Sequence, residues 1–93
     1  MNIFCWDAEK NKKIQAERDL SFEQIEFAIE NNQLLDILRH PNQQKYPDQI
    51  LLIIQIEQNV VVVPAVKEKR GFFLKTAFYS RKMTRKYLGG TEV

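Results

Sequence analysis

The sequence contains little cysteine, glycine or proline. Its 93 residues include one Cys, three Gly and three Pro. The single Cys5 cannot form a disulfide within the chain, which excludes the class of small secreted domains held together by disulfides. The low Gly and Pro content, with 44% hydrophobic residues, excludes a low-complexity or disordered protein. A chain of this length and composition is typical of a single domain covering residues 1–93.

Long apolar segments are also missing. The longest apolar runs are Ile50–Ile54 and Val60–Val63, far short of the roughly 20 residues that a helix needs to cross a bilayer. The N-terminal residues show no basic stretch followed by an apolar one, so no signal peptide is expected. The sequence therefore predicts a cytoplasmic protein that does not contact a membrane.

The patterns that define most catalytic centres do not occur. There is no Gly-rich phosphate loop, no Cys pair spaced for zinc and no His-Glu-x-x-His segment. Cys5 and His40 do not form a nucleophile–base pair by their spacing. The acidic residues are spaced as on solvated helix faces, so we expect neither a metal ion nor an organic cofactor.

The charges are distributed unevenly along the chain. Residues 1–65 contain 6 basic and 10 acidic side chains, and residues 66–93 contain 8 basic and 2 acidic ones. The formal net charge of +2 is thus the sum of −4 and +6. A basic segment of this kind favours an anionic partner.

Two helices are predicted in the first third of the chain. Asp7 stands at the N-cap position of a helix over Ala8–Ala16, which is rich in helix-forming residues. Ser21-Phe22-Glu23-Gln24 fits the capping box that begins a second helix, and Asn31-Asn32 ends it.

The rest of the chain favours strands. Ile3–Trp6 is a short apolar strand, whereas Leu34–Leu38 is ambiguous between strand and helix, and Arg39–Asp48 is a loop. Gln49–Ile56 and Asn59–Pro64 form two strands joined by a tight turn at residues 57–58. Val60 to Val63 show no alternation of polarity, which predicts burial on both faces of the sheet.

The C-terminal third predicts a turn, a strand and a short helix. The turn is Lys67–Gly71, and the strand is Phe72–Tyr79, with side chains alternating between its two faces. Ser80 can cap a helix over Arg81–Leu88, which residues 89–90 end. The fold class is α+β. We expect two N-terminal helices packed on one face of an antiparallel sheet of about four strands, followed by a short C-terminal helix. On the strand, one alternating set is Phe73, Lys75, Ala77 and Tyr79.

The basic C-terminal segment carries most of the functional signal. Within the predicted final helix, two pairs of like charges stand four residues apart, and each pair costs an isolated helix about 0.2–0.5 kcal/mol. Such a helix favours an anionic partner, and neighbouring aromatic rings suit stacking on unpaired RNA bases. The alternative is a solvated basic helix that only keeps the protein soluble. The segment comprises Lys75, Phe78, Tyr79, Arg81, Lys82, Arg85, Lys86 and Tyr87.

Three segments resemble a known family. Trp6-Asp7-Ala8-Glu9-Lys10-Asn11 resembles the opening of the BrnT toxins, and Leu20-Ser21-Phe22-Glu23 resembles their Val-Ser-Phe-Glu segment. Phe78-Tyr79-Ser80-Arg81-Lys82-Met83-Thr84 is similar to their Ile-Ser-Ala-Arg-Lys-Ala-Thr ending. The segments occur in the family's order. The family's Lys-His-Gly corresponds here to Glu17-Arg18-Asp19.

The resemblance implies a RelE-like fold and the toxin component of a bacterial type II toxin–antitoxin system. Such toxins are ribonucleases that cut RNA without a metal. The implied partners are a cognate antitoxin protein and RNA, in particular mRNA, on or off the ribosome. Operator DNA would be contacted only through the antitoxin. Two other functions stay open, namely a non-catalytic module that binds RNA or an acidic protein, and an interaction protein that does not bind nucleic acid.

Metal-free RNA cleavage needs cations for the phosphate oxygens and groups that move protons. For the charge that develops in the transition state, the candidates are Arg81 and Lys82. For proton transfer, or alternatively for stacking on a base, they are Tyr79, Tyr87 and His40. The candidate RNA-binding residues are Lys75, Ser80, Arg85, Lys86 and Tyr87.

Overall fold

The computed structural model describes residues 3–89, and over this range the chain is α+β, as predicted. This range contains three helices and six strands. No helix in this range is long and apolar enough to cross a membrane. The elements are β1 (Ile3–Trp6), α1 (Ala8–Arg18), α2 (Phe22–Glu30), β2 (Leu34–Arg39), β3 (Gln49–Ile56), β4 (Asn59–Glu68), β5 (Gly71–Leu74), β6 (Phe78–Tyr79) and α3 (Arg81–Tyr87).

The first two helices begin and end largely at the residues that the sequence indicates. Ser21 and Gln24 form both hydrogen bonds of a capping box, which confirms the predicted start of α2. Asn31 is the C-cap of α2, as expected. Asp7 occupies the N-cap position of α1, but its side chain accepts no capping hydrogen bond. α1 continues two residues beyond Ala16 and ends at Asp19, which adopts the left-handed conformation with φ 55°.

The sheet differs from the antiparallel sheet of about four strands that the sequence predicts. Its strand order is β1-β5-β4-β3-β2, and β6 also pairs with β4. β1 runs parallel to β5, and the other pairs are antiparallel, so the six-stranded sheet is mixed. The additional strands arise because the ambiguous segment Leu34–Leu38 pairs with β3, and because Phe72–Tyr79 is divided into two strands.

A β-bulge divides Phe72–Tyr79 into β5 and β6. Ala65 of β4 lies opposite Leu74, whereas Val62 lies opposite Phe78. From Ala65 to Val62, β4 advances by three residues, whereas the partner chain advances by four from Leu74 to Phe78. The partner chain therefore contains one extra residue, as in a β-bulge. Because of this residue, Tyr79 lies on the same face as Leu74 rather than on the face of Lys75. The predicted alternation through Phe72–Tyr79 is therefore wrong.

Pro64 explains the position of the bulge. Its carbonyl accepts a hydrogen bond of 2.8 Å from the N–H of Lys75. The edge of β4 on which the hydrogen-bonding groups of residue 64 lie therefore faces the chain of β5 and β6. Proline has no N–H to donate on that edge, and bulges are among the few places where a sheet tolerates this. β4 therefore continues through Pro64 to Glu68, and the predicted strand end at Pro64 is wrong. The predicted turn at Lys67–Gly71 is reduced to residues 69–70.

The sheet has a core on each face. On one face, Ile14 of α1 and Phe22 and Ile25 of α2 are fully buried against Val61 and Val63 of β4. On the other face, α3 packs Met83 and Tyr87 against Ile53, Val60 and Val62. The helices are thus divided between the two faces. The four valines of residues 60–63 are buried, with at most 4% exposure, which confirms their predicted burial on both faces.

Gly71 allows β1 to join the sheet. A Cβ atom at this position would lie 1.9 Å from the carbonyl oxygen of Ile3, which is far inside van der Waals contact. Ile3 and Gly71 are paired residues of the parallel strands β1 and β5. Only a residue without a side chain therefore lets the two backbones approach this closely.

We predict that Gly71→Ala lowers the free energy of unfolding by about 1–3 kcal/mol, because the added methyl group forces β1 and β5 apart. Urea unfolding measures the loss, and amide exchange of β1 locates it. Lys69→Ala in the adjacent turn is the control and should change stability by less than about 0.5 kcal/mol. Equal stability of Gly71→Ala and the original chain would show that β1 is not held by this close approach.

Candidate nucleic-acid interface

The start of α3 is fixed to the start of β4 by a short chain of hydrogen bonds. The Ser80 N–H donates to the carbonyl of Val60 over 3.0 Å, and the Val60 N–H donates to Oγ1 of Thr84 over 2.9 Å. The Thr84 hydroxyl in turn donates to the carbonyl of Ser80 over 2.7 Å. Ser80 Oγ accepts from the N–H of Met83, which confirms its predicted role as the N-cap of α3. These bonds give the basic side chains of α3 a defined position on the sheet.

A depression of about 290 Å³ lies beside this junction. Two arginines and a tyrosine are among the residues that line it, and all three are exposed. Arg81 and Arg85 stand one helical turn apart on α3, and Tyr79 is 44% exposed. Paired guanidinium groups match the planar, bidentate recognition of phosphate. We refer to this feature as the arginine depression; its lining residues are Asn59, Tyr79, Ser80, Arg81, Thr84 and Arg85.

Tyr79 is a hydrogen-bond donor at neutral pH. Partial burial raises the pKa of its phenol, and the negative charges of Asp19 and Glu57 raise it further. The hydroxyl therefore stays protonated at neutral pH. The bulge sets the face of the sheet on which the Tyr79 side chain lies. In a strand without the bulge, Tyr79 would lie on the face that carries α3.

Arg18 was not singled out by its sequence, yet it holds the bulge. Its Nη1 donates to Oγ1 of Thr76 over 3.1 Å and to the carbonyl of Ala77 over 2.9 Å. These bonds join the end of α1 to the extra residues that precede Tyr79. No local signal indicates them, since nearly sixty positions separate Arg18 from both partners. Asn59 and Thr84 were also missed, although Thr84 follows the Ser80 cap by one helical turn.

The outer surface of α3 adds two more cations. Lys82 and Lys86 are exposed, and the Lys86 ammonium lies 5.5 Å from the centre of the Tyr87 ring. Tyr87 is half-buried, and its hydroxyl donates to Oδ2 of Asp36 over 2.7 Å. This bond lowers the pKa of the Asp36 carboxyl, and the same bond raises the pKa of the Tyr87 phenol. Tyr87 thus connects α3 to the edge strand β2, and its role in binding RNA stays a prediction.

His40 and Lys75 lie apart from the arginine depression. The His40 N–H donates to the carbonyl of Gln49, which pairs with Val66, whereas Tyr79 pairs with Val61. Five residues of β4 separate these positions, or about 17 Å along the strand. The His40 ring instead contacts Tyr46, with 4.5 Å between ring centres. Lys75 is exposed on the face of the sheet that carries α3.

The structure thus brings four of the predicted residues, Tyr79, Ser80, Arg81 and Arg85, into one depression. Between residues 3 and 89, no three His, Cys, Asp or Glu side chains are grouped so that they could hold a metal ion. Neither a protein-family model, nor a curated protein, nor a solved structure matches this chain. The resemblance to the BrnT toxins therefore stays a prediction from the three segments.

We predict that Tyr87→Phe lowers the free energy of unfolding at neutral pH, because it removes the hydrogen bond to the Asp36 carboxylate. The folded-state pKa of Asp36 lies below its ordinary value of 3.8, so this stabilisation is present above that value and is lost as the pH falls through the folded-state pKa. Urea unfolding at a series of pH values from 7 downward should therefore show a difference between the variant and the original chain that is largest at neutral pH and shrinks as the pH falls. A difference that stays the same at every pH would contradict this role of the bond.

Proposed function

We propose that this chain is the toxin of a bacterial type II toxin–antitoxin pair and acts as a metal-independent endoribonuclease. The observation that carries the proposal is the arginine depression, which Tyr79, Arg81 and Arg85 line at the capped start of α3. The three segments that resemble the BrnT toxins support the same function, and one of them forms most of this site. A RelE-like fold belongs to the proposal, and the α+β class is compatible with it.

The site suits cleavage of RNA by its own 2′-hydroxyl. Attack of this oxygen on the adjacent phosphorus forms a P–O2′ bond and breaks the P–O5′ bond, which leaves a 2′,3′-cyclic phosphate. Arg81 and Arg85 would hold the non-bridging oxygens and stabilise the charge that develops on them. The Tyr79 phenol would protonate the leaving O5′, because even a phenol of raised pKa is a stronger acid than an alcohol.

The 2′-hydroxyl must also lose a proton. The residues that line the depression, as far as residues 3–89 form it, include no carboxylate or imidazole, and the carboxylates of Asp19 and Glu57 act on the Tyr79 phenol from outside this lining. The proton would therefore pass to a non-bridging phosphate oxygen that the arginines hold, and from there to water. Lys82 and Lys86, exposed on the same helix, would bind phosphates on either side of the cleaved bond.

A second candidate function is favoured because no general base among residues 3–89 lines the arginine depression and because His40 lies far from Tyr79. The same basic surface would then hold RNA without cutting it, as a non-catalytic binding module. Both functions require phosphate binding by α3, and they differ in the product. RNA that is bound tightly at low salt, released at high salt and never cleaved would select the second function.

We predict that the original chain arrests the growth of bacteria that express it, and that Arg81→Ala abolishes the arrest. Loss of one preorganised donor to a transition state typically costs about 10²–10³ in rate. Arg70→Ala removes the same charge in the turn between β4 and β5, away from the depression, and should arrest growth fully. Circular dichroism checks that both variants fold. Arrest by Arg81→Ala equal to that of the control would refute the assignment of Arg81.

We further predict that Tyr79→Phe separates binding from cleavage. The variant should bind an oligoribonucleotide with unchanged affinity and salt dependence, because it keeps both arginines. Its cleavage rate should fall, since the leaving oxygen loses its proton donor. Arg85→Ala should instead weaken binding and reduce the slope of log K against log salt by about one. Equal loss of binding in both variants would show that Tyr79 is a binding residue rather than an acid.

A further inference from the structure

Phe27 is an aromatic residue on the acidic face of α2. It is the most exposed of the large apolar side chains between residues 3 and 89, at 67%. The core-facing side of the helix is formed by Phe22 and Ile25, which are fully buried. Phe27 instead has Glu23 one turn before it and Glu30 one turn after it, and both are exposed. Its ring is therefore not part of the core.

Phe27 also lines a cavity of about 240 Å³ between the end of α2 and the turn that joins β3 to β4. Two backbone hydrogen bonds of 2.9 Å run from the Gln33 N–H to the Ala28 carbonyl and from the Gln55 N–H to the Gln33 carbonyl. These bonds connect the end of α2 to the end of β3 and fix the shape of the cavity. We call it the Phe27 cavity; its lining includes Phe27, Asn31, Gln33, Gln55, Ile56 and Glu57.

Three carboxamides of the Phe27 cavity hold their nitrogens at backbone carbonyls. Asn31 Nδ2 donates to the carbonyl of Phe27 over 2.8 Å, and Gln55 Nε2 donates to the carbonyl of Glu57 over 3.0 Å. Gln33 Nε2 donates to the carbonyl of Asn31 over 3.4 Å. No hydrogen bond within residues 3–89 reaches the three amide oxygens. These oxygens are thus available to a ligand that donates hydrogen bonds.

The charge around the Phe27 cavity is negative. Glu57 lines it, and the lining residues between positions 3 and 89 include no Lys, Arg or His. Glu30, at the last position of α2, is exposed one turn from Phe27. α2 has no basic residue in its last turn, so its own side chains do not offset the negative end of the helix dipole. Together these groups favour a cation.

We infer that the Phe27 cavity binds the side chain of an arginine that another polypeptide presents. A guanidinium group is planar, carries several N–H donors and stacks on aromatic rings. It would stack on Phe27 and donate to the amide oxygens and to the Glu57 carboxylate. The alkyl part of the arginine would contact Ile56. The inference is independent of the proposed function, since it involves neither RNA nor an antitoxin.

Other ligands fit the Phe27 cavity less well. A phosphate would be repelled by the carboxylates of Glu30 and Glu57. A lysine ammonium is a compact, strongly hydrated charge without a flat face that could stack on the ring. Cavities that enclose a whole small molecule measure about 300–1,000 Å³. At about 240 Å³, this cavity suits a single side chain.

The test titrates the full chain with N-acetyl-L-arginine methylamide, which reproduces an arginine within a polypeptide, and follows the backbone amide shifts by NMR. This probe should shift the amides of Phe27, Asn31 and Glu57 in a saturable way. The citrulline analogue has nearly the same shape without the charge, and the lysine analogue has the charge without the planar group. Each analogue should bind about fivefold more weakly or worse. Added salt should weaken binding of the arginine probe.

Phe27→Ala should lower the affinity for the arginine probe about tenfold, because it removes the ring on which the guanidinium stacks. The matched control is Ile37→Ala, which truncates a 49% exposed apolar side chain on β2 and should not change the affinity. Both variants should fold, since both side chains are exposed. Glu57→Gln should weaken binding of the probe as well, because it removes the charge and keeps the shape.

Three results would overturn the inference: no binding of the arginine probe, equal affinity of the arginine probe and either analogue, or equal affinity of Phe27→Ala and Ile37→Ala for the probe. Free L-arginine that binds more tightly than the capped probe would also overturn it, because the source would then be a small molecule rather than a polypeptide. Phe27→Ala should keep the RNA cleavage of the original chain. Failure of this test and failure of the ribonuclease proposal therefore give different results.

Discussion

The missing N–H of Pro64 is the constraint on which the rest of this structure depends. Proline in a central strand leaves one position of the ladder without a donor, and the partner strand responds with one extra residue after Lys75. This extra residue shifts the alternation of the strand by one position, so each later side chain lies on the face opposite to the one it would otherwise occupy. It turns Tyr79 away from Lys75 and brings the chain to Ser80, where α3 begins on the other face of the sheet.

The two faces of the sheet consequently differ in the helices that pack on them. α1 and α2 pack on one face and form its core, and Arg18 at the end of α1 donates the hydrogen bonds that hold the bulge. α3 has only seven residues and covers part of the other face. Its exposed basic side chains are Arg81, Lys82, Arg85 and Lys86.

Local signals predicted the local structure well. The caps at Ser21 and Ser80 and the burial of Val60–Val63 depend on residues close in sequence, and all are confirmed. Features set by distant partners were missed. The parallel pairing of β1 with β5 depends on the close approach of the two backbones at Gly71. The face of the sheet on which Tyr79 lies depends on the strand toward which the backbone of Pro64 is directed. The residue types of the site were therefore predictable, whereas the separation of His40 from Tyr79 was not.

The central claim is that the arginine depression holds an RNA phosphate while the 2′-hydroxyl attacks it. The most direct measurement is mass spectrometry of the fragments formed when purified protein is incubated with single-stranded RNA in the presence of a metal chelator. The account predicts new 3′ ends that carry a 2′,3′-cyclic phosphate, and their loss with Arg81→Ala but not with Arg70→Ala. Intact RNA after incubation with folded protein, or fragments ending in a 3′-hydroxyl, would contradict it.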